Sequence, residues 1–196
     1  MKKTILLPMI AIVLAVVILL GASLGLRGVA EKNAQKKHTE LLQTLLPGSG
    51  NFTAEAYTGD DANIRSVHKG ETGFVVETVT NGYAGPITMF IGVSKEGTVT
   101  GLVVWDMSET LGLGTNALTD HEFLAQFLNT GGDVAIRTET DAFSGATGES
   151  VTESSTEADG ITGATVTSKA IARCVNSAVA YVTGADVDSG ATSWGG

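Results

Sequence analysis

The sequence predicts an α+β fold, in which an antiparallel sheet packs against helices behind one N-terminal transmembrane helix. Three observations lead to this prediction. The apolar run Ile5–Leu26 has about the 20 residues needed to cross a bilayer. Apolar residues alternate over 87–93 and resume at 99–105, with Lys-Glu-Gly between them, which is typical of a hairpin. Near the C-terminus, apolar residues recur at helical spacing over 171–182.

Residues 1–27 are predicted to form a transmembrane anchor. Lys2 and Lys3 precede the apolar run. A cleaved signal peptide is the alternative, although its apolar region is usually shorter, about 7–15 residues. Because lysines and an arginine also follow the run, charge alone leaves the topology open.

Residues 28–48 are predicted to form a membrane-proximal helix, since apolar residues recur at nearly helical spacing until Pro47-Gly48 ends the pattern. The following segment, 49–63, has the composition of a loop. Four strands are then predicted, with the third half-buried because its apolar residues alternate. The predicted strands are Ile64–Val67, Gly73–Val79, Ile87–Val93 and Val99–Trp105.

Smaller elements follow these strands. Asp120–Leu128 is predicted to be a short helix and Val134–Thr138 a strand. The stretch between Glu139 and Asp159 is rich in Ser, Thr, Gly and Glu, which predicts a surface loop. Residues 185–196 have little to bury and are predicted to be a flexible tail.

The stretch Asp159–Thr167 is a loop of small and hydroxyl-bearing residues that leads into the last predicted helix. Thr167 or Ser168 could cap that helix, and Gly184 is a natural end for it. The free N–H groups of a helix N-terminus form an anion site that suits a phosphate. A loop that merely caps a core helix, with no chemistry, is the alternative.

Charge is distributed unevenly along the chain. From His38 onward there are 20 acidic residues and six basic ones. A body this acidic repels the phosphates of nucleic acids, so the sequence predicts no nucleic-acid partner. Cys174 is the only cysteine, which excludes an internal disulfide, and its place in an amphipathic run predicts a buried structural thiol.

No metal site or catalytic residue is predicted. His38, His68 and His121 are far apart in the sequence and match no zinc-binding spacing. The chain has neither the G-x-S-x-G motif of serine hydrolases nor the G-x-x-x-x-G-K-[ST] phosphate loop. These absences remove support for a serine hydrolase and for a nucleotide site of the Walker type.

The string from 159 to 167 resembles the flavinylation motif D-x-x-[ST]-G-A-T-x-[ST] of the FMN-binding domain family. In that family a flavin transferase joins FMN, through its phosphate, to the last hydroxyl of the motif. The resemblance implies that Thr167 is the acceptor. It also implies that the motif residues before it form the recognition string; these are Asp159, Thr162, Gly163, Ala164 and Thr165.

Two similar strings show which part of the motif is specific. Residues 141–147 and 186–192 have the same D-x-x-S-G-A-T opening. The acceptor position is then occupied by Glu149 in one and by Trp194 in the other, and neither side chain has a hydroxyl. The final threonine and the helix behind it therefore carry the specificity.

Two further blocks resemble the same family. Gly82–Ile87 is similar to its G-Y-x-G-P-I stretch, and 109–114 is similar to its E-T-P-G-L-G loop. That loop lies against the flavin, so the resemblance implies flavin contacts from Glu109, Thr110, Leu111, Gly112 and Leu113. Leu111 stands where proline is usual, which puts an identical contact in doubt.

The resemblance spans about 74–181 and assigns 49–184 to an FMN-binding domain. It implies covalent FMN and an electron-relay subunit of an ion-translocating ferredoxin:NAD oxidoreductase. Such a subunit is not catalytic alone. Its partners would be the other membrane subunits and a flavin transferase. It would be a single-pass protein of the cell (inner) membrane with an extracytoplasmic body. Alternatives are a subunit of a sodium-pumping NADH:quinone oxidoreductase, a stand-alone extracytoplasmic flavin carrier, and a scaffold domain without flavin.

Overall fold

A computed structural model describes residues 32–132, 134–137 and 156–185. The chain divides into two compact units, Met1–Leu41 and Leu42–Gly196. The predicted span at 1–27 lies outside the described residues, as do the predicted tail beyond Ala185 and the two similar strings at 141–147 and 186–192. Among the described residues, no helix is both long enough and apolar enough to cross a membrane.

Helical structure covers residues 32–45 (α1), which lie within the stretch 28–48 predicted as a helix. Within the first unit, Lys36 and Glu40 form an exposed ion pair one turn apart, with 3.8 Å between Nζ and Oε1. Such i,i+4 pairs contribute only a few tenths of a kcal/mol to a helix, about 0.3–0.5. In the second unit, Leu42, Leu45 and Leu46 are buried.

The centre of the second unit is a five-stranded antiparallel sheet in the order β1-β2-β3-β4-β5. Each strand pairs with the next one along the chain, as hairpin connections require. The register of β3 and β4 is unbroken from Gly73 opposite Ser94 to Asn81 opposite Pro86. The strands are β1 Thr53–Glu55, β2 Ile64–Lys69, β3 Gly73–Asn81, β4 Pro86–Ser94 and β5 Val99–Met107.

The strand β4 is buried on both faces, so the prediction of a half-buried strand was wrong. Ile87, Met89, Ile91 and Val93 belong to the main hydrophobic core. The opposite face is covered as well, because a Cβ at Gly92 would stand 2.1 Å from the Leu45 carbonyl oxygen. The alternation of apolar residues in the sequence predicts one buried face. It gives no indication that Leu45 packs on the other face.

Three short elements were not predicted. β1 lies in the segment predicted as a loop at 49–63. The helix α2, Gly114–Thr119, follows the glycine-containing loop at 109–114. The strand β7, Thr156–Asp159, pairs in parallel with β6, Val134–Arg137, so the predicted surface loop was wrong over its last four residues. The predicted helix at 120–128 is confirmed as α3, His121–Ala125.

The last helix, α4, runs over Thr165–Thr183 and ends at Gly184, as predicted. Its apolar face, including Ile171, Val175 and Val179, is buried against the sheet. Cys174 is fully buried on this helix, and burial raises the pKa of its thiol to about 12. The prediction of a buried structural thiol is confirmed.

Candidate functional site

The three blocks singled out in the sequence meet beside the N-terminus of α4. A cavity of about 330 Å³ lies there. It is lined by Tyr83 from the first block, by Thr110, Leu113 and Gly114 from the second, and by Gly163–Thr167 from the third. The sheet brings the first two blocks together, because they follow β3 and β5 at neighbouring ends of the strands.

Six of the eleven predicted site residues line this cavity: Thr110, Leu113, Gly163, Ala164, Thr165 and Thr167. Thr162, Asp159, Glu109, Leu111 and Gly112 do not line it. The cavity also includes three residues that the prediction missed, namely Tyr83, Gly114 and Val166. Each belongs to one of the three blocks, so a closer reading of the blocks could have found them.

Thr167 is fully buried, and its Oγ1 has no hydrogen-bond partner in the part of the chain that the structure describes. An unsatisfied buried hydroxyl costs about 1–3 kcal/mol, so native proteins rarely keep one without a reason. The hydroxyl belongs to a cavity-lining residue, in the position that the motif assigns to the acceptor.

The Glu109 carboxylate lies between two glycines from different blocks. A Cβ at Gly82 would stand 1.8 Å from its Oε1, and a Cβ at Gly114 would stand 2.5 Å from its Oε2. No side chain could occupy either position unless the carboxylate moved. The Ala84 N–H donates to both carboxylate oxygens, at 3.4 and 3.3 Å. Glu109 therefore holds the first block against the second.

The loop at 109–114 is fixed by side chains of the helix that follows it. The Gly112 N–H donates to Thr115 Oγ1 at 3.0 Å, and the Asn116 side-chain amide donates to the Gly112 carbonyl at 2.8 Å. The loop tip is open to solvent, with Leu111 87% and Leu113 49% exposed. Leu113 and the 73% exposed Tyr83 line the cavity, whereas Leu111 is exposed in the same loop without lining it; we call these three side chains the apolar rim.

The start of α4 differs from the prediction. Ala164 is the N-cap residue and makes no side-chain capping bond. Thr167 and Ser168 lie inside the first turn, so the prediction that either caps the helix was wrong. Ser168 Oγ instead accepts from the N–H of Ile161 at 3.2 Å, which ties the preceding loop to the helix.

The N-terminus of α4 is suited to an anion. No acidic residue lies in its first turn, and no side chain caps it. The first N–H groups of a helix have no intrahelical acceptor, and the helix dipole adds partial positive charge there. Because Thr165, Val166 and Thr167 line the cavity, these groups could bind a phosphate inside it.

Asp159 lies at the other end of the motif and does not reach the cavity. Its carboxylate accepts from the guanidinium of Arg137, with 2.8 Å between Nε and Oδ1. This hydrogen bond, with the attraction between the two charges, raises the pKa of Arg137. A second cavity of about 570 Å³, lined by Tyr57, Asp61 and Arg173 among others, contains none of the predicted site residues.

Comparison with known families accounts for this arrangement. The family model described as FMN-binding domain matches residues 82–180, about half of the chain. The chain belongs to the FMN-binding domain family. All residues that line the 330 Å³ cavity fall within the matched range.

Similar proteins carry the names of components of ion-translocating complexes. Over 159 residues, the chain is 32% identical to the G subunit of the ion-translocating oxidoreductase complex of Methanosarcina acetivorans. The aligned region covers 75% of this chain and 76% of that protein. It is 33% identical to the G subunit of the Na(+)-translocating ferredoxin:NAD(+) oxidoreductase complex of Acetobacterium woodii, over 55% of this chain. It is 34% identical to the proton-translocating counterpart of Clostridium ljungdahlii, over 56%. The chain spans about half the length of the latter two proteins, 47% and 53%.

Two solved structures were also found to be similar. The C subunit of the Na(+)-translocating NADH-quinone reductase from Parabacteroides distasonis is 20% identical with a TM-score of 0.48, over 68% of this chain and 76% of that one. NqrC of Shewanella oneidensis is 18% identical with a TM-score of 0.45, over 73% of each chain.

Proposed function

We propose that this FMN-binding domain protein carries FMN covalently on Thr167 and relays electrons as the G subunit of an Rnf-type ion-translocating ferredoxin:NAD oxidoreductase. The names of the similar proteins support an electron-transfer subunit of such a complex. The observation that carries the attachment site is the Thr167 hydroxyl, which is buried and has no partner among the described residues.

The residues around the cavity have the chemistry that FMN needs. Attachment forms a bond between Thr167 Oγ1 and phosphorus; the hydroxyl proton leaves, and so does the AMP half of a flavin dinucleotide donor. The remaining phosphate charge would lie at the uncapped N-terminus of α4, where N–H groups and the helix dipole favour an anion. Esterification also removes a buried hydroxyl donor that has no partner among the described residues.

The apolar rim would bind the ring system. Tyr83 and Leu113 expose apolar surface in the cavity lining, and Leu111 exposes more of it in the same loop; such surface packs well on an aromatic face. Glu109 and the glycines on either side of it would fix the position of this rim relative to Thr167. The FMN itself supplies the redox chemistry, while the protein sets its position, access and electrostatic surroundings.

The proposed setting is a single-pass protein of the cell membrane with an extracytoplasmic body. A covalent link would keep the cofactor in place where no flavin pool could replace it. The protein would not catalyse a reaction alone, and the other membrane subunits would deliver and remove its electrons. A flavin transferase would be a transient partner during maturation.

Intact mass and absorption spectroscopy test the attachment. We expect wild-type protein co-expressed with a flavin transferase to gain the mass of one FMN unit and a yellow chromophore. Thr167→Ser should retain both, because the hydroxyl remains. Thr167→Val should lose both, whereas Thr119→Val, which removes an exposed hydroxyl of α2 outside the three blocks, should retain them. Flavin kept on Thr167→Val would show that another residue is the acceptor.

Purification in mild detergent tests the assembly. We expect the natively expressed protein to co-purify with polytopic membrane subunits. A yellow protein that purifies alone would instead indicate a stand-alone flavin carrier. A colourless protein of unchanged mass, made in its native host, would contradict the flavin function itself.

A further inference from the structure

The first residue of the motif, Asp159, is held by three groups of its own chain. Arg137 lies directly opposite Asp159 in the parallel β6–β7 pair. Both Nε and a terminal nitrogen of its guanidinium donate to Asp159 Oδ1, and its other terminal nitrogen lies 3.4 Å from Glu157 Oε2. Charge-assisted hydrogen bonds of this kind are stronger than neutral ones and fix geometry as well as charge.

Gln126, which follows α3, binds the backbone of the same residue. The Asp159 N–H donates to Gln126 Oε1 at 2.7 Å, and Gln126 Nε2 donates to the Asp159 carbonyl at 3.4 Å. Asn176 of α4 binds the other strand in the same way. The Val134 N–H donates to Asn176 Oδ1 at 2.9 Å, and Asn176 Nδ2 donates to the Val134 carbonyl at 3.2 Å.

These contacts continue into the loop that reaches Thr167. The Gly160 N–H donates to the Arg137 carbonyl at 2.8 Å, which extends the pairing of the two strands by one bond. The next N–H, that of Ile161, donates to Ser168 Oγ beside Thr167. A short chain of hydrogen bonds therefore connects Arg137 and Gln126 to the turn of α4 that carries the acceptor.

We infer that Gln126 and Arg137 are positioning residues for flavin attachment. We also infer that Asp159 anchors the loop 160–164 within its own chain, and that the flavin transferase does not recognise Asp159 directly. This inference rests on the proposed function. It explains why an acidic residue lies at the start of the motif although it does not line the cavity. Three groups of the same chain already form hydrogen bonds with Asp159: the guanidinium of Arg137 and both polar groups of the Gln126 amide.

The ion pair is too exposed to matter much for overall stability. The side chains of Arg137 and Asp159 are 53% and 66% exposed, and solvent screens such pairs. Its removal should therefore shift the loop and leave the folded core intact. The same exposure would let a transferase touch Asp159, so the two roles require an experiment that separates them.

A charge exchange separates the two roles. Flavin attachment is followed by intact mass over time, with purified flavin transferase, flavin adenine dinucleotide and increasing concentrations of the full-length acceptor protein. Asp159→Asn and Arg137→Ala should each lower kcat by about fivefold or more with KM nearly unchanged, because the hydroxyl is misplaced rather than the docking surface lost. The double variant Arg137→Asp with Asp159→Arg restores an ion pair in reverse and should recover to within about twofold of wild type.

The opposite results would overturn the inference. If the transferase instead recognises Asp159 directly, the exchanged variant should stay as slow as Asp159→Asn, and Arg137→Ala should keep the wild-type rate. The slower attachment in Asp159→Asn should then come from a higher KM. Arg65→Ala serves as a control, since it removes the ion pair between Arg65 and Glu77 on the main sheet, at 3.6 Å, and should leave kcat and KM unchanged.

Gln126→Ala decides the matter if the exchanged variant does not fold. It removes both bonds to the Asp159 backbone without changing any charge, so it should lower kcat while its melting temperature stays near that of wild type. A wild-type kcat for this variant would overturn the positioning role. The proposed function fails separately, if the wild-type protein itself gains no flavin in the same assay.

Discussion

Thr167 Oγ1 lies 2.9 Å from the place that a Cβ atom would occupy at Gly114. The proposed acceptor hydroxyl thus faces the backbone of the neighbouring loop at a distance that only glycine allows. The same imagined Cβ would also stand 2.5 Å from Glu109 Oε2. Gly114 is therefore a point of close approach between the loop at 109–114 and the first turn of α4.

Gly114→Ala should destabilise the protein and obstruct flavin attachment. Its methyl group would overlap a carboxylate oxygen of Glu109 and the Thr167 hydroxyl, and overpacking of this kind costs about 1–3 kcal/mol. We expect a lower unfolding midpoint in urea and a slower gain of FMN mass. Gly131→Ala is a matched control, because a Cβ there meets nothing within 4 Å and no positive φ is involved. Equal behaviour of the two variants would contradict the close packing.

Thr167→Val should make the unmodified protein more stable while it abolishes attachment. The substitution keeps the shape of the side chain and removes a buried hydroxyl that has no partner among the described residues. An unsatisfied group of this kind costs about 1–3 kcal/mol, so we expect a gain of roughly 1 kcal/mol in the free energy of unfolding.

Thr130→Val provides the contrast for that measurement. Thr130 is also buried, but its hydroxyl donates to the Phe127 carbonyl at 2.7 Å. Its removal should destabilise the protein by about 1 kcal/mol. If Thr167→Val were destabilising to the same extent, the Thr167 hydroxyl would have a partner after all.

The elements found from the sequence are those with strong local signals. The β4–β5 hairpin has alternating apolar residues and a Lys-Glu-Gly turn, and α4 has a long helical repeat. The strand β7 reads Thr-Glu-Ala-Asp and has no such signal. It exists because β6 pairs with it and because Arg137 and Gln126 bind Asp159, and these contacts are distant in sequence.

The sequence blocks that form the candidate site could be predicted, but the arrangement of their side chains in space could not. The motif resemblance predicted Thr167 as the acceptor, and nothing in the sequence shows that its hydroxyl is buried without a partner among the described residues. The role of Glu109 depends on Gly82 and Gly114, which approach it only after the sheet has formed. Ser168 resembles a helix cap in the sequence, but the helix begins earlier and Ser168 binds Ile161.

Cys174 should make stability fall at high pH. Burial raises the pKa of its thiol to about 12, above the value of roughly 8.5 for a free cysteine. Between these values the unfolded chain loses the proton first, so the contribution of the thiol is complete below about pH 8.5 and is lost as pH rises toward 12. This thiol should lower the free energy of unfolding by at most about 1.4 kcal/mol per pH unit.

The comparison that isolates this effect is Cys174→Ala, since lysines and tyrosines also titrate in that range. The difference in unfolding free energy between wild type and variant should shrink as pH increases from about 8.5 to about 11. The native wild-type thiol should also resist aromatic disulfide reagents at about pH 8 and react once the protein is unfolded. Fast reaction in the native state would show that the thiol is accessible.

Leu111→Ser should change the exposure of the bound flavin to water while leaving the stability of the protein almost unchanged. Leu111 is 87% exposed, so its replacement should change the unfolding free energy of the flavin-free protein by less than about 0.5 kcal/mol. If the leucine covers the flavin ring as proposed, the variant should expose the ring to water, and iodide should quench flavin fluorescence more strongly. Leu128→Ser changes a leucine that lines a different cavity and should leave quenching unaltered, whatever it does to stability. Identical quenching in wild type and Leu111→Ser would mean that the loop tip does not cover the ring.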